Sequence, residues 1–169
     1  MGTVRDDASP PLTERAAAFW RAYLATVPPD HPHHGARVTA FSFGDSPALA
    51  DELAALVVAG RKRATASLPI QSEIEGAPLP AAGDISIVTR ADGTPVAIIE
   101  TTDVRLVPFG AVDADFADAE GEGDRSLAWW RAAHTAFFGR VLARFGGRLD
   151  DTSVCICERF RVLYRAVAH

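Results

Sequence analysis

Apolar residues recur at helical spacing in three stretches of the chain. Residues 12–27 collect large apolar side chains on one face, which predicts an amphipathic helix. Residues 47–59 predict a second helix, because Ser46 can cap it and Pro47 suits its first position. Residues 126–145 predict a long third helix. Its expected core face consists of Leu127, Trp130, His134, Phe137, Val141 and Phe145, with Trp129 or Arg131 exposed.

Elsewhere the pattern changes to the alternation that is typical of strands. It predicts strands over residues 37–43, 62–68, 85–90, 95–107 and 153–167. Residues 91–93 predict a hairpin turn, residues 69–82 a loop containing Pro and Glu, and residues 112–119 a short helix. Short strands interleaved with helices, and joined by hairpins rather than crossovers, indicate an α+β fold on a small mixed barrel flanked by helices.

Composition limits the class of protein. The chain has 169 residues, 48% hydrophobic and 23% charged, which suits one soluble domain with a substantial core. We expect a disordered polar tail over residues 1–11 and a single domain over residues 12–169, with an N-terminal helix extension. No apolar run approaches the length of a membrane span, so no membrane partner is expected.

Two cysteines, Cys155 and Cys157, alternate in the last predicted strand and therefore share a face. A Cys-x-Cys pair within a strand is badly placed to bridge itself. We expect buried thiols in a reducing, cytoplasmic location, and the alternative is half of a metal site.

The net charge of −5 is unevenly distributed. Six acids and no base lie between residues 113 and 124, whereas eight arginines lie between residues 125 and 169. This is not the charge distribution of a protein that grips a long phosphate backbone without specificity. Long duplex DNA is therefore excluded as a partner, and a short RNA or a single nucleotide is retained.

Lys62 is the only lysine in the chain, which holds 16 arginines. Burial can make an ammonium give up its proton, whereas a guanidinium stays charged at ordinary pH. The lysine therefore indicates a position that arginine cannot fill, unless one lysine survived by chance.

Thr65 and Ser67 follow Lys62 in the same predicted strand and share one of its faces. A bend after Gly60 would bring Lys62 back toward Thr65. A lysine near a hydroxyl activates a nucleophile when burial favours the neutral amine. The alternative is that both hydroxyls belong to ordinary strand residues.

A second polar segment, residues 119–126, contains two glycines just before a predicted helix N-terminus, where backbone amides attract anions. Asp124 or Ser126 can instead cap that helix. The spacing of its acids is not that of a calcium loop, and the histidines of residues 31–34 lack further ligands. Neither a metal nor a cofactor is expected.

Several motifs, taken in order, closely resemble those of ASCH-domain proteins of the longer bacterial branch. The motifs are FGDSP at residues 43–47, LADEL at 49–53, GRKRATAS at 60–67, GD at 83–84 and AEGEGDRSL at 119–127. The match covers the chain from about Phe41 to Tyr164. The resemblance implies a PUA-like barrel flanked by helices, with RNA or a modified nucleoside as the ligand.

The resemblance also implies catalytic residues for two activities. In members similar to small amidohydrolases of N4-acetylcytidine, the catalytic lysine, threonine and glutamate fall on Lys62, Thr65 and Glu122. In a longer-branch member associated with ribonuclease activity, the lysine again falls on Lys62 and a serine on Ser126. The chain departs from the commonest pattern at Arg63, where a threonine is more usual. The side chains expected to bind substrate are Arg61, Arg63, Ser67, Asp124, Arg125 and Trp129.

Three functions follow from these residues. RNA binding with ribonuclease activity is the leading expectation, with protonated Lys62 neutralising the phosphate that Ser126 positions. The second is an amidohydrolase, in which neutral Lys62 takes a proton from Thr65 and Glu122 shuttles protons. The third is a module that only holds an RNA end or a modified base. We expect Lys62, Thr65, Glu122 and Ser126 to meet in one pocket at the mouth of the barrel.

Overall fold

The computed structural model describes residues 10–167. The tail predicted over residues 1–11 lies outside the described residues, except for Pro10 and Pro11. Five α-helices and five strands make up the described part, and two short 3-10 helices, Pro32–Gly35 and Phe109–Ala111, connect them. In chain order the main elements are α1 (Glu14–Leu24), β1 (Val38–Phe41), α2 (Pro47–Val58), β2 (Ala64–Ser67), α3 (Pro69–Glu75), β3 (Ile85–Thr89), β4 (Pro95–Pro108), α4 (Ala114–Glu120), α5 (Leu127–Ala143) and β5 (Val154–Arg165).

The strands form one mixed sheet in the order β1-β3-β4-β5-β2. β1 pairs with β3 in parallel, and the other three pairs are antiparallel. The α+β class is therefore confirmed. The expectation that hairpins alone join the strands is wrong, because a parallel pair cannot be closed by a tight turn. The chain leaves β1 and returns to β3 only after α2, β2 and α3.

Helices bury apolar side chains against the sheet in three clusters. The first cluster packs α4 and α5, with Trp130 and Phe138, on β2 and β5. The second packs Leu53 and Val57 of α2 on β3, β4 and β5, and the third packs Trp20 of α1 on β3 and β4. β1 and β2 are the two edge strands of the sheet, and the candidate site lies beside them.

The long helix α5 is rotated slightly from its predicted phase. Trp130 and His134 are buried, as predicted, and Trp129 is 36% exposed. Of the two adjacent phenylalanines, Phe138 rather than Phe137 is completely buried, because Phe138 continues the spacing of four from Trp130 and His134 and contacts the His134 ring. Phe145 was predicted to be in the core but is 54% exposed, since the helix ends at Ala143.

One predicted loop is partly helical. Residues 69–82 contain α3, which starts at Pro69, where a missing backbone N–H costs nothing. The Gln71 side chain accepts a hydrogen bond from the Leu68 backbone N–H at 2.8 Å, and Gly76 ends the helix in the left-handed region. Proline thus begins a helix within a segment that the sequence pattern predicts to be a loop.

The two cysteines are buried free thiols in β5. Burial raises the pKa of Cys155 to about 11 and the pKa of Cys157 to about 12. Both therefore stay protonated at neutral pH, which makes them unreactive core side chains.

Candidate functional site

Lys62 is buried, with 1% of its side chain exposed. Its Nζ donates to the Ala64 carbonyl oxygen at 3.0 Å and to Glu122 Oε1 at 2.7 Å. The same Nζ lies 5.0 Å from the centre of the Phe43 ring. A buried ammonium is tolerated only where acceptors and an opposite charge compensate for lost water. The sole lysine is therefore held in one orientation by specific partners.

The backbone of residues 61–63, which include Lys62, closely approaches the backbone of residues 119–121, which precede Glu122. The Arg63 N–H donates to the Ala119 carbonyl at 2.7 Å. Gly121 has a φ of 71°, and a Cβ added there would collide with the Arg61 carbonyl. Only glycine combines this conformation with this contact. Gly121 thus allows two segments far apart in sequence to bring their charged side chains together.

A tight turn then leads into α5 and carries Glu122. The Arg125 N–H donates to the Glu122 carbonyl at 2.9 Å, and Arg125 is the only non-glycine residue between residues 10 and 167 with a positive φ, 68°. Ser126 ends the turn as the cap of α5, where its Oγ accepts from the Trp129 N–H at 3.1 Å. Asp124 Oδ1 accepts from the Ser126 N–H at 2.8 Å. The turn therefore has a fixed shape.

A second carboxylate, Glu120, lies in the same cluster and was missed by sequence reasoning. It is 1% exposed, and its Oε2 accepts from Trp130 Nε1 at 2.7 Å and lies 3.2 Å from His134 Nε2. Burial raises the pKa of Glu120, but the Lys62 charge and the hydrogen bonds from His134 and Trp130 outweigh burial, so the pKa falls below its ordinary value. Glu120 is thus held as a buried anion.

His134 completes the cluster from α5. Its Nδ1 donates to the Trp130 carbonyl at 2.9 Å, and its Nε2 faces Glu120. Burial lowers the pKa of His134, but the hydrogen bond and the charge of Glu120 outweigh burial, so the pKa is raised. Both ring nitrogens face acceptors, which is the arrangement that suits an imidazolium.

The cluster lines a cavity of about 280 Å³. Thr65 of β2 lies on the wall of this cavity, and Trp129 and Arg140 of α5 lie there too. Arg140 is held by an ion pair with Asp45 at 3.1 Å. A hydroxyl, an ammonium, carboxylates and an aromatic ring thus line one cavity.

A larger cavity of about 570 Å³ adjoins the first and shares Thr65 with it. It lies between the edge strands β1 and β2 and is bounded by α3. Its charged lining residues are Arg37, Glu75, Asp84 and Glu158. Burial raises the pKa of Glu158, although a hydrogen bond from Thr101 opposes the rise. The two cavities together can hold a ligand with a reactive group beside Thr65.

Three of the four catalytic candidates line the smaller cavity, namely Lys62, Thr65 and Glu122. Ser126 lines neither cavity, and its hydroxyl caps α5. The structure therefore brings together the residues of the amidohydrolase hypothesis and leaves apart the serine of the ribonuclease hypothesis.

The predicted substrate-binding residues are divided in the same way. Trp129 lines the smaller cavity and Ser67 the larger one. The other four line neither cavity. Arg63 and Arg125 pair with Asp118 at 3.2 Å and 2.9 Å, respectively. Arg61 and Asp124 are exposed. Asp118 thus holds Arg63 and Arg125 outside the two cavities.

Within residues 10–167, no three His, Cys, Asp or Glu side chains are grouped so that they could hold a metal ion. In the histidine loop, His33 Nδ1 lies 2.7 Å from the Tyr23 hydroxyl, which makes it part of the α1 packing. No helix in this range is long and apolar enough to cross a membrane.

Comparison with known proteins identifies the family. The model of the ASCH domain matches residues 39–164, and no curated protein matches the sequence. Among solved structures, the ASCH domain from Lactobacillus crispatus JV V101 is 35% identical, with 91% of this chain and 97% of that chain covered and a TM-score of 0.85. Protein EF3133 from Enterococcus faecalis V583 is 32% identical, with 88% and 87% covered and a TM-score of 0.72.

Proposed function

This chain belongs to the ASCH-domain family, a PUA-like family often linked to RNA binding, and from that premise we propose that it hydrolyses an acylated amine of a nucleobase, as in N4-acetylcytidine. The observation that carries the proposal is the 2.7 Å contact between Lys62 Nζ and Glu122 Oε1 in a cavity that Thr65 also lines. A nucleophile, a base and an acid are the groups that amide hydrolysis needs.

Charge favours an uncharged reacting group over a phosphodiester. Lys62 is already compensated by Glu122, and Glu120 lies in the same cluster. The adjoining cavity carries three acids and one arginine. An anion entering this space would meet carboxylates at close range, and the repulsion between like charges is unfavourable. Amide hydrolysis puts no phosphate there.

The proposed reaction begins with Thr65. Lys62 passes a proton to Glu122 and takes the Thr65 hydroxyl proton as the oxygen attacks the acyl carbon. Glu122 then gives its proton to the departing amine, the C–N bond breaks, and the acyl group remains on Thr65 as an ester. Lys62 again passes a proton to Glu122 and takes a proton from water as the water oxygen attacks the ester. Glu122 gives its proton to the Thr65 oxygen as the C–O bond breaks, which releases the carboxylic acid and free Thr65. Trp129, at the cavity wall, is placed to stack on the base.

The test is turnover of N4-acetylcytidine, followed by chromatographic detection of cytidine and acetate. We expect Thr65→Val, which keeps the shape and removes the hydroxyl, to lower kcat/KM by at least about 100-fold. The matched control is Thr102→Val, at an exposed strand position outside both cavities. Equal activity of Thr65→Val and the wild type would reject the mechanism.

The ribonuclease hypothesis, which the sequence favoured, is the second candidate and is supported by the link of the family to RNA binding. Ser126→Asn separates the two, because asparagine keeps the helix cap without a hydroxyl and adds no charge. Cleavage of labelled RNA that is lost in Ser126→Asn and retained in Thr65→Val would replace amide hydrolysis with RNA cleavage as the activity of this chain.

A further inference from the structure

The two cavities meet at Thr65, and this arrangement directs one part of the substrate into the larger cavity. Of the two cavities, Trp129 lines the smaller one, whereas Thr65 lines both. A base that stacks on Trp129 with its acyl carbon at Thr65 therefore points the remainder of the acyl group toward the larger cavity. That cavity measures about 570 Å³. The methyl group of an acetyl, close in size to a water molecule of about 30 Å³, fills a small part of it.

Glu158 lies beside Thr65 on the wall of the larger cavity. The two residues are register partners in the antiparallel pairing of β2 with β5, so their side chains leave the sheet on the same face, with Cβ atoms about 5 Å apart. Both side chains line the larger cavity. A carboxyl group therefore stands next to the hydroxyl that attacks the acyl carbon in the proposed reaction.

One oxygen of Glu158 is fixed by the neighbouring strand β4. The Thr101 hydroxyl donates to Glu158 Oε1 at 2.6 Å, and Thr101 is buried. Within residues 10–167, no other group donates to this carboxyl and no cation forms an ion pair with it. Burial raises the pKa of Glu158, the Thr101 hydrogen bond opposes the rise, and the Asp84 charge adds to it. Glu158 thus offers a positioned acceptor to a ligand that brings the missing positive charge.

We propose that Glu158 determines which acyl group is removed, by binding an ammonium that the acyl group carries, so that the preferred substrate is an aminoacyl derivative of the base. The inference rests on the proposed function and names the substrate class of the same site. An ammonium beside Glu158 Oε2 forms a charge-assisted hydrogen bond, which a neutral acyl chain cannot form.

The other charges around the two cavities agree with a cationic acyl group. The larger cavity is lined by three carboxylates and one arginine, which leaves an excess of two negative charges. Lys62 lines the smaller cavity and not the larger one, and Glu122 compensates its charge at 2.7 Å. An ammonium that enters the larger cavity is therefore attracted by its lining.

Two cytidine derivatives of equal size test the inference. N4-β-alanylcytidine and N4-butanoylcytidine differ only in a terminal ammonium that replaces a methyl group. With kcat/KM divided by the rate of spontaneous hydrolysis, we expect the wild type to favour the β-alanyl compound by at least about 10-fold at neutral pH. Glu158→Gln keeps the side-chain volume and an acceptor for Thr101, and it should lower this preference about 10-fold. The matched control is Glu100→Gln, because Glu100 is a strand carboxylate that lines neither cavity, and it should keep the preference within about twofold.

The wild type alone can overturn the inference, so no variant has to fold for the test to succeed. Equal corrected rates for the two compounds would show that the larger cavity does not recognise an ammonium. A preference that Glu158→Gln and Glu100→Gln lower to the same extent would also overturn the inference, because it would assign the selection to the overall charge of the protein rather than to Glu158.

Binding measurements separate this inference from the proposed function. Calorimetry with Thr65→Val, which cannot form the ester, gives the affinities of both intact compounds. If no acylated cytidine is turned over by the wild type, the proposed function fails, and tighter binding of the β-alanyl compound that is lost in Thr65→Val with Glu158→Gln still supports recognition of an ammonium by Glu158. If acylated cytidines are turned over but the two compounds bind and react alike, the proposed function stands and the inference is overturned. If neither compound is bound or turned over, both fail.

Discussion

Lys62 and Arg63 are neighbours in sequence, and each forms an ion pair, yet the two pairs have opposite surroundings. The Lys62 and Glu122 side chains are 1% and 15% exposed, whereas Arg63 and Asp118 are 53% and 50% exposed. An exposed pair contributes little because water and salt screen it, and a buried pair is costly to break because the remaining charge loses its partner. Adjacent positive charges can therefore differ greatly in what they do for the molecule.

The comparison also explains the unusual composition. Arginine serves at the surface, where Arg63 and Arg125 share the Asp118 carboxylate. Lysine is retained at a buried position, where a compact ammonium fits beside Glu122. The arginine bias is thus a property of the exposed residues, and the exception marks the site.

The largest effect is expected from Lys62→Met, which removes the buried cation and keeps most of the side-chain volume. Glu122 and Glu120 would lose their positive partner, so we expect the free energy of unfolding to fall by about 3 kcal/mol or more, with loss of turnover. Chemical denaturation beside the N4-acetylcytidine assay measures both. A variant as stable as the wild type would show that the pair is not a buried one in solution.

Gly121→Ala should have the next largest effect, because it tests how the buried pair is assembled. The new Cβ would collide with the Arg61 carbonyl in addition to straining the backbone, and we expect a loss of about 2 kcal/mol or more, with reduced turnover. Gly93→Ala is the matched control, since its φ is also positive, 83°, and its Cβ would meet nothing within 4 Å. Strain alone should cost that control about 1 kcal/mol. Equal losses for the two variants, measured by urea denaturation, would contradict the close approach as the cause.

The smallest effect is expected from Asp118→Asn, which breaks the exposed ion pair between Arg63 and Asp118. It removes the partner of two arginines, yet we expect less than about 1 kcal/mol of lost stability and turnover within about twofold of the wild type. Added salt should reduce the difference further, because it screens exposed charges. A loss as large as that of Lys62→Met would end the contrast between the two pairs.

Local signals in the sequence predicted those parts of the fold that depend on neighbours along the chain. Ser46 and Pro47 marked the start of α2 correctly, and the spacing of Trp130 and His134 gave the buried face of α5. The parallel pairing of β1 with β3 could not be predicted in this way, because it depends on a register between distant segments. The same limit applied to Phe145, which lies just beyond the end of its helix.

The site shows the same division. The lone lysine was visible as an exception in composition, and the order of the motifs associated Glu122 with it. Glu120 could not be recognised, because burial of a carboxylate depends on partners from α5 that no local pattern reveals. Ser126 was predicted because the resemblance places a ribonuclease serine there, but its position at the helix start commits that hydroxyl to the backbone.

The burial of Lys62 determines how the folded protein reacts with reagents that modify lysine. With its sole lysine side chain 1% exposed, the folded chain presents no lysine amine to acylating dyes, crosslinkers or amine-coupled surfaces. Such reagents would reach Lys62 only when the fold opens around it. The rate of lysine acylation should therefore report how often the fold opens around Lys62, and no probe has to be introduced into the sequence.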